Sequence, residues 1–485
     1  MERSRTDALL LSLALTNLLA LVACGGGGRS NVVVINDNFV DVPSRFGVAN
    51  ARRPAVRWKA VAGAQRYEVE ARYNSTSLPV TVTGTEAHIA VDVPNEADVD
   101  LTVRAIDAQG RDVGRDARRF RVRPVPDWMP TLRLTKSEAG AFGGYRLFNL
   151  LDLQTPASSG RVASLVLVND AGEIVWWVER QGITDMLLAG LSPAGNPIVI
   201  ERTVDDSFQV TSRAVERSFT GQEIWASDPS TLVHHDAGFG PDGHRMLLTW
   251  VFKTVDSISY EGDGIEVVDA VSGKVLWRWN IFDHFDPATL QVPESKTIGR
   301  SFKGQDWSHA NAVVWDEARR VIWVCVRNFD LLLGVEYPSG RIAYSIGKHG
   351  TMGKDLLSHP HAPEVQADGS ILLFDNGNTL DPRLSTVLHM RIDAATPAVE
   401  VLRRWVPDPA FYDDSLGDAD MLENGNILVT AGVSGRIFEV SPSDKVVWNL
   451  EIEKGTRIRM AYRAVQVPRA AFGDVGLLGA YCGVR

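Results

Sequence analysis

HANAVVWDEARRVIWVCVRNFDLLLGVEYPSGRIAYSIG, residues 309–347, carries one copy each of two turn-and-strand units whose recurrence decides the fold. One unit is a turn followed by a strand bearing an aromatic residue, here YPSGRIAYSIG. It returns as NDAGEIVWW, SFTGQEIW, AVSGKVLWRW and SPSDKVVWNL, with a degenerate copy at PAVEVLRRW. The other unit, here WDEARRVIWVCVR, alternates with it as LSPAGNPIVI, FGPDGHRMLLTW, VQADGSILLFDNG and MLENGNILVTAG. Turn residues set between β-branched or aromatic runs make hairpins. The first unit places six aromatic tips at Trp176, Trp225, Trp277, Tyr344, Trp405 and Trp448. Their spacing, about 40 to 70 residues, suits four-stranded blades with insertions. The expected class is all-β, a six-bladed β-propeller over 131–485, with YRAVQVP near the C-terminus helping to close the ring. A pair of β-sandwiches is the competing architecture, and two alternating hairpin types favour the propeller over it.

Ahead of the repeats, residues 51–123 form a separate unit by pattern. AVRWKAVAGAQRYEVEARYN puts Trp58 on one strand and alternates Tyr67, Val69 and Ala71 on the next. Short alternating strands with frequent turns predict a small β-sandwich. Trp58, Gly63-Ala64, Tyr67 and LTVRAIDAQG together resemble fibronectin type III domains, and the proline-rich RPVPDWMP reads as the linker after them. Residues 1–23 read as a signal peptide: two arginines, then an apolar run from Ala8 to Ala23 that is shorter than a spanning helix needs. Leu21-Val22-Ala23-Cys24 resembles a bacterial lipobox, which makes Cys24 the lipidated residue and 24–50 a flexible tether. An ordinary cleaved signal is the alternative, and both readings export the protein. The localisation expected is the bacterial cell envelope, at the outer membrane facing the periplasm, and an oligomer is compatible with it.

A length of 485 residues exceeds one ordinary compact domain. The net charge of −10 is spread along the chain, which argues against a nucleic-acid partner. Beyond Cys24 only Cys325 and Cys482 remain, with no C-x-x-C spacing, and Cys325 in VIWVCVRNF reads as a small buried hydrophobe. Pairing of Cys325 with Cys482 is left open.

In a propeller the first strands of successive blades face one another along the channel. With the hairpin turn as a ruler, His235 lies eight residues before Gly243 and His361 eight before Gly369. His309 lies eight before Glu317, taken as the matching turn residue. Three of the ten histidines thus share one register, which is improbable for unrelated core histidines. Asn311 alternates onto the face of His309, Arg327 returns on the next strand, and Asp236 stands beside His235 either to orient it or to be solvated. A His₃ zinc site is one use of such a set, but Arg327 disfavours a dication without carboxylates. An oxyanion fits the arginine fork and the asparagine and histidine donors better, and histidine is also a nucleophile for group transfer.

HHDAGFGPDGHRMLLTW, DWSHANAVVWDEARRVIWVCVRNFDLLLGVEYPSGRIAYSIGKHG and HPHAPEVQADGSILLFDNGN are similar to stretches of the bacterial arylsulfotransferases, exported enzymes that do not use the nucleotide sulfate donor. The resemblance covers most of the chain after about residue 130. It implies a six-bladed propeller behind a β-sandwich, no cofactor and no metal, and transfer of a sulfuryl group from a phenolic sulfate ester to another phenol by way of a sulfohistidine. His361 then resembles the nucleophile, with His359 as the alternative, and His235, His309, Asn311 and Arg327 resemble its supporting residues. The nucleophile must be neutral, whereas His235 or His309 would supply the departing phenolate with a proton. Trp307 is a candidate aromatic wall, its likelier use being the blade core. The chain lacks the cysteine pair that family representatives carry near the mouth of the site. Two other functions compete: a non-catalytic outer-membrane propeller scaffold, and a sulfate or phosphate ester hydrolase built on the same residues. Nucleotide-dependent transfer is disfavoured because no G-x-x-x-x-G-K-[ST] loop occurs.

Overall fold

The computed structural model describes residues 40–42, 48–49, 52–152, 163–204, 210–219, 221–292, 304–393, 398–407, 410–453 and 460–467. The signal and lipobox reading, Cys24 and Cys482 lie outside these residues. Strands dominate, and each described helix is a single 3-10 turn. No described helix is long and apolar enough to cross a membrane.

Two sheets make up the N-terminal unit. Ala55–Trp58 pairs with Val40–Val42 and Glu86–His88 in one. In the other, Arg66–Tyr73 lies between Thr76–Val82 and Asp98–Ile106, followed by Asp112–Val122 and Val48–Ala49. The expected alternation holds along Arg66–Tyr73, where Tyr67, Val69 and Ala71 are buried. They share one core with Val56, Trp58 and Ala87 of the smaller sheet, and the Trp58 and Tyr67 rings lie 5.2 Å apart.

Six sheets of antiparallel strands follow in chain order, the third joined by a short parallel strand, Gln305–Asp306, beside Ile258–Val268. In five of them the four strands run consecutively, beginning at Asp185–Leu191, Val233–Phe239, Ala310–Asp316, Pro360–Val365 and Asp418–Met421. The first sheet takes Tyr145–Leu151, Ala163–Val168 and Ile174–Arg180, and its remaining edge is completed from the other end of the chain by Ala464–Val467. Tyr145 pairs with Val467 and Phe148 with Ala464. This strand, from YRAVQVP, also contacts the second and sixth sheets. The sixth sheet gains an outer strand, Leu132–Ser137, against Val446–Ile452.

Each aromatic tip falls on the fourth strand of its sheet: Trp176, Trp225, Trp277, Tyr344, Trp405 and Trp448. Several of these tips tie neighbouring sheets. The indole N–H of Trp176 donates to the Phe219 carbonyl at 3.1 Å, and that of Trp277 to Pro338 at 2.9 Å. Trp448 of the sixth sheet donates to Asp170 of the first at 2.9 Å. A buried indole needs an acceptor, and the turn of the next sheet supplies one. Between the third and fourth sheets, Leu248, Ile265 and Trp279 pack with Ile322, Val324 and Leu333 in one cluster. Full burial of each such aliphatic side chain stabilises by about 1.5–3 kcal/mol. Cys325 is buried in the adjoining cluster, as a small hydrophobe would be.

Candidate functional site

The site forms where first strands begin, at corners the backbone bends sharply. His235, His309 and His359 all adopt the left-handed conformation, with φ of 54°, 51° and 56°. Such values are uncommon for non-glycine residues and mark strain that tertiary contacts must hold. In the fourth sheet the amide of Arg327 donates to the His309 carbonyl at 3.2 Å, and Asn328 to Ser308 at 3.1 Å. In the fifth, Asn376 donates to His359 at 3.3 Å and Gly377 to Ser358 at 2.8 Å.

These bonds correct the register inferred from the turn. His309 corresponds to His359, and Asn311 to His361. The ruler slipped because the fourth hairpin has no glycine and its first strand is one residue longer from corner to turn than the fifth. The turn residue sharing the left-handed conformation of Gly243 and Gly369 is Arg320, at φ 52°, rather than Glu317. The three rings nevertheless share one neighbourhood, because they reach it from non-equivalent positions. The His235 ring lies 5.0 Å from His309 and 6.0 Å from Tyr462, and Tyr462 lies 5.4 Å from His361. Tyr462 is buried among them and its hydroxyl donates to the Asn311 carbonyl at 3.0 Å.

The imidazoles have different partners. His309 Nδ1 sits 2.5 Å from Asp306 Oδ2. Burial opposes ionisation of Asp306, but His309 outweighs it and the carboxyl stays below its ordinary value. His235 Nδ1 meets Nδ1 of His234 at 2.8 Å, and His234 Nε2 lies 3.2 Å from Asp263. His361 is 3% exposed and its Nδ1 has no hydrogen-bond partner. Burial lowers its pKa well below the ordinary histidine value, with Arg463, Arg327 and His309 adding to the effect and a backbone hydrogen bond at Gly417 opposing it. Burial also lowers His235, aided by His309, His234 and His361. Both rings are therefore neutral near pH 7.

Arg327 donates to Asn328 Oδ1 at 2.8 Å and to the Asp414 carbonyl at 3.0 Å. Asn311 is fully buried and donates to the Pro360 carbonyl at 2.9 Å, tying the fourth sheet to the strand that carries His361. The buried His359 places Nδ1 3.0 Å from the Asp330 carboxylate, whereas no carboxylate among the described residues pairs with His361. Asp236 neither orients His235 nor faces solvent. It is buried, 3.1 Å from Arg463 Nη1, and it accepts from the Val313 amide at 3.0 Å. Trp307 is a core residue, fully buried and stacked 5.2 Å from Phe282, because its indole is spent on the Leu290 carbonyl at 3.0 Å.

Sequence reasoning missed His234, Asp263, Asp306, Tyr462 and Arg463. HHD and DWSHAN place His234 and Asp306 within three residues of chosen histidines, a signal that was there to use. Tyr462 and Arg463 arrive from the C-terminal end and carry no motif. A cavity of about 400 Å³ lies beside Arg463, lined also by Asp236, Glu364, Asp418 and Asp420, and its lining includes none of the histidines. No group of three or more metal-ligating side chains occurs among the described residues.

A family model described as arylsulfotransferase (ASST) matches residues 149–463. The search of curated proteins finds no match. Among solved structures, a protein of unknown function from Bacteroides caccae is 14% identical, covering 67% of this chain and 99% of its own, with a TM-score of 0.43. An auxiliary nutrient binding protein from Bacteroides ovatus is 10% identical over 87% of both chains, with a TM-score of 0.40. Virginiamycin B lyase from Staphylococcus aureus is 10% identical over 74% of this chain and 93% of its own, with a TM-score of 0.31. These structural likenesses carry no argument about what the site does.

Proposed function

We propose that this chain, which belongs to the arylsulfotransferase family through residues 149–463, moves a sulfuryl group from a phenolic sulfate ester to another phenol through a sulfohistidine at His361. The observation that carries this reading is the contrast among the imidazoles. His361 is neutral and has an unpartnered ring nitrogen, whereas His309 and His234 each have a carboxylate beside them. An aryl sulfate repels an incoming nucleophile through its anionic oxygens, so fixed cations and donors must gather around sulfur. Arg327 supplies the guanidinium and His309 a ring N–H. Attack forms the bond from His361 nitrogen to sulfur and breaks the bond from sulfur to the aryl oxygen, whose electron pair leaves on the phenolate. A second phenol then attacks sulfur, the nitrogen–sulfur bond breaks, and the phenol's proton passes to a site histidine. Two such half-reactions give ping-pong kinetics.

The same reading makes the six sheets one closed six-bladed propeller. The order of first-strand contacts, the C-terminal strand in the first sheet and the Trp448 tie from sixth to first support it. It also takes the N-terminal two-sheet unit as a fibronectin type III-like domain, and the enzyme as exported and lipid-anchored through Cys24 at the cell envelope.

The test is intact-protein mass spectrometry at mildly alkaline pH after brief mixing with 4-nitrophenyl sulfate and no acceptor. One added sulfuryl group, lost on adding phenol and absent in His361→Ala, is the expected result. An adduct that survives in His361→Ala and disappears in His359→Ala would move the nucleophile. Neither adduct nor nitrophenol release from several donors would overturn sulfuryl transfer in favour of a binding scaffold, and turnover without an adduct or an acceptor would favour a hydrolase.

A further inference from the structure

We propose that Asp263 and His234 act as positioning residues for His235, forming a relay that lets His235 exchange protons with phenols while the positive charge rests one ring away, on His234. The catalytic half of this proposal rests on the sulfuryl-transfer reading above; the relay itself rests on geometry. Consecutive strand residues normally point to opposite faces. Here the left-handed backbone of His235 and the irregular register between Val233 and Ala237 bring both rings together, 5.0 Å apart and at 89°. The Nδ1 to Nδ1 separation of 2.8 Å requires one proton between them.

Asp263 decides which ring holds that proton. Its Oδ2 is fixed by Ser308 Oγ at 2.5 Å and by the Ala310 amide at 2.7 Å, while Oδ1 lies 3.2 Å from His234 Nε2, a charge contact outside hydrogen-bond geometry. A lone pair opposite a carboxylate oxygen is repelled, so Nε2 of His234 carries hydrogen and its Nδ1 accepts. His235 must then donate through Nδ1, which leaves the lone pair on its Nε2. When an acceptor phenol gives its proton to that nitrogen, the Nδ1 proton of His235 passes to Nδ1 of His234. The charge now lies on His234, between Asp263 and the face of Trp250, whose ring stacks on it at 4.6 Å and 26°. His235 remains neutral in its other tautomer, holding an Nε2 proton for the next departing phenolate. One residue thus serves as base in one half-reaction and as acid in the other. An imidazolium at His235 itself would stand in a buried place facing His309, His234, His361 and Arg202, all of which disfavour it.

Asp263→Asn tests the relay. Its amide oxygen can still accept from Ser308 and Ala310, but its NH₂ would face His234 Nε2 and invert the chain of donors. In protein labelled with ¹⁵N-histidine, with the His235 signals assigned through His235→Gln, Nε2 of His235 should move from the unprotonated to the protonated range. Single-turnover release of phenol from phenyl sulfate without acceptor should fall by about 10²-fold, the scale of a lost proton transfer. Single-turnover release of nitrophenolate from 4-nitrophenyl sulfate without acceptor should fall far less, because nitrophenolate leaves without a proton, and Asp263→Glu should recover part of the loss. An unchanged tautomer with equal losses on both esters would overturn the proposal and leave Asp263 as an anchor for Ser308. If the unmodified protein transfers from neither ester, the sulfuryl-transfer reading fails, and the tautomer measurement still decides the relay.

Discussion

The corners at Ser308–Asn311 and Ser358–His361 share a backbone and differ in chemistry. Both place a left-handed histidine second, both satisfy the same two carbonyls from the neighbouring strand, and both set a carboxylate against Nδ1 of that histidine. At the fourth-sheet corner the carboxylate comes from three residues upstream, on a short strand beside the third sheet, and Asp306 and His309 are partly open. In the fifth sheet it comes from Asp330, in the preceding sheet, and the pair is buried. Two residues on, the fourth sheet has an amide that bonds the other corner and the fifth has an imidazole without a carboxylate. The histidine that repeats is therefore the one held by a carboxylate, and the candidate nucleophile is the imidazole added beyond the repeat.

Turning the fifth corner into a copy of the fourth gives the largest expected effect. His361→Asn should abolish the sulfuryl adduct and lower transfer by about 10⁴-fold or more, with thermal unfolding little changed, as checked by mass spectrometry and calorimetry. Arg327 stands opposite the His309 carbonyl where the fifth sheet has Asn376. Arg327→Lys keeps the charge and loses the fork, and kcat/KM should fall by about 10²–10³-fold in steady-state assays. His359→Asn should act on stability instead. With Asp330 left in a buried site without its imidazole, unfolding in denaturant should cost about 1–3 kcal/mol less, while the adduct still forms.

The smallest effect concerns pH. Asp375 donates no proton to Ser358 but accepts from its amide at 2.7 Å, at a place where the fourth sheet has Val326. Burial raises its pKa to about 7, although the Ser358 amide and Arg404 oppose the shift. The folded state thus holds this proton more tightly than the unfolded chain. Its contribution is fully present below the unfolded aspartate pKa and is lost as pH rises from there through about 7. Asp375→Asn should flatten that dependence by an amount on the order of 1–3 kcal/mol, read as a smaller drop in Tm between mildly acidic and mildly alkaline buffers.

How much of this was legible follows from the range of each interaction. The six aromatic tips and the alternating hairpins were readable because turn chemistry and the strand period act over a few residues. They fall on fourth strands and on the hairpins joining first to second strands. The choice of His235, His309 and His361 reached one neighbourhood although its register was wrong. Arg320 adopts a left-handed turn position that sequence assigns to glycine, so a ruler based on glycine passes over it.

By itself the sequence determined the all-β class, the repeat and three of the imidazoles that meet. Tertiary structure alone decided which of them are neutral, because that depends on burial and on charges brought from elsewhere. Arg463 reaches the interior on the segment that completes the first sheet, and Asp263 joins His234 to the Ser308 corner from a different strand. Electrostatic fields sum over space, and no local pattern in the chain encodes those distances.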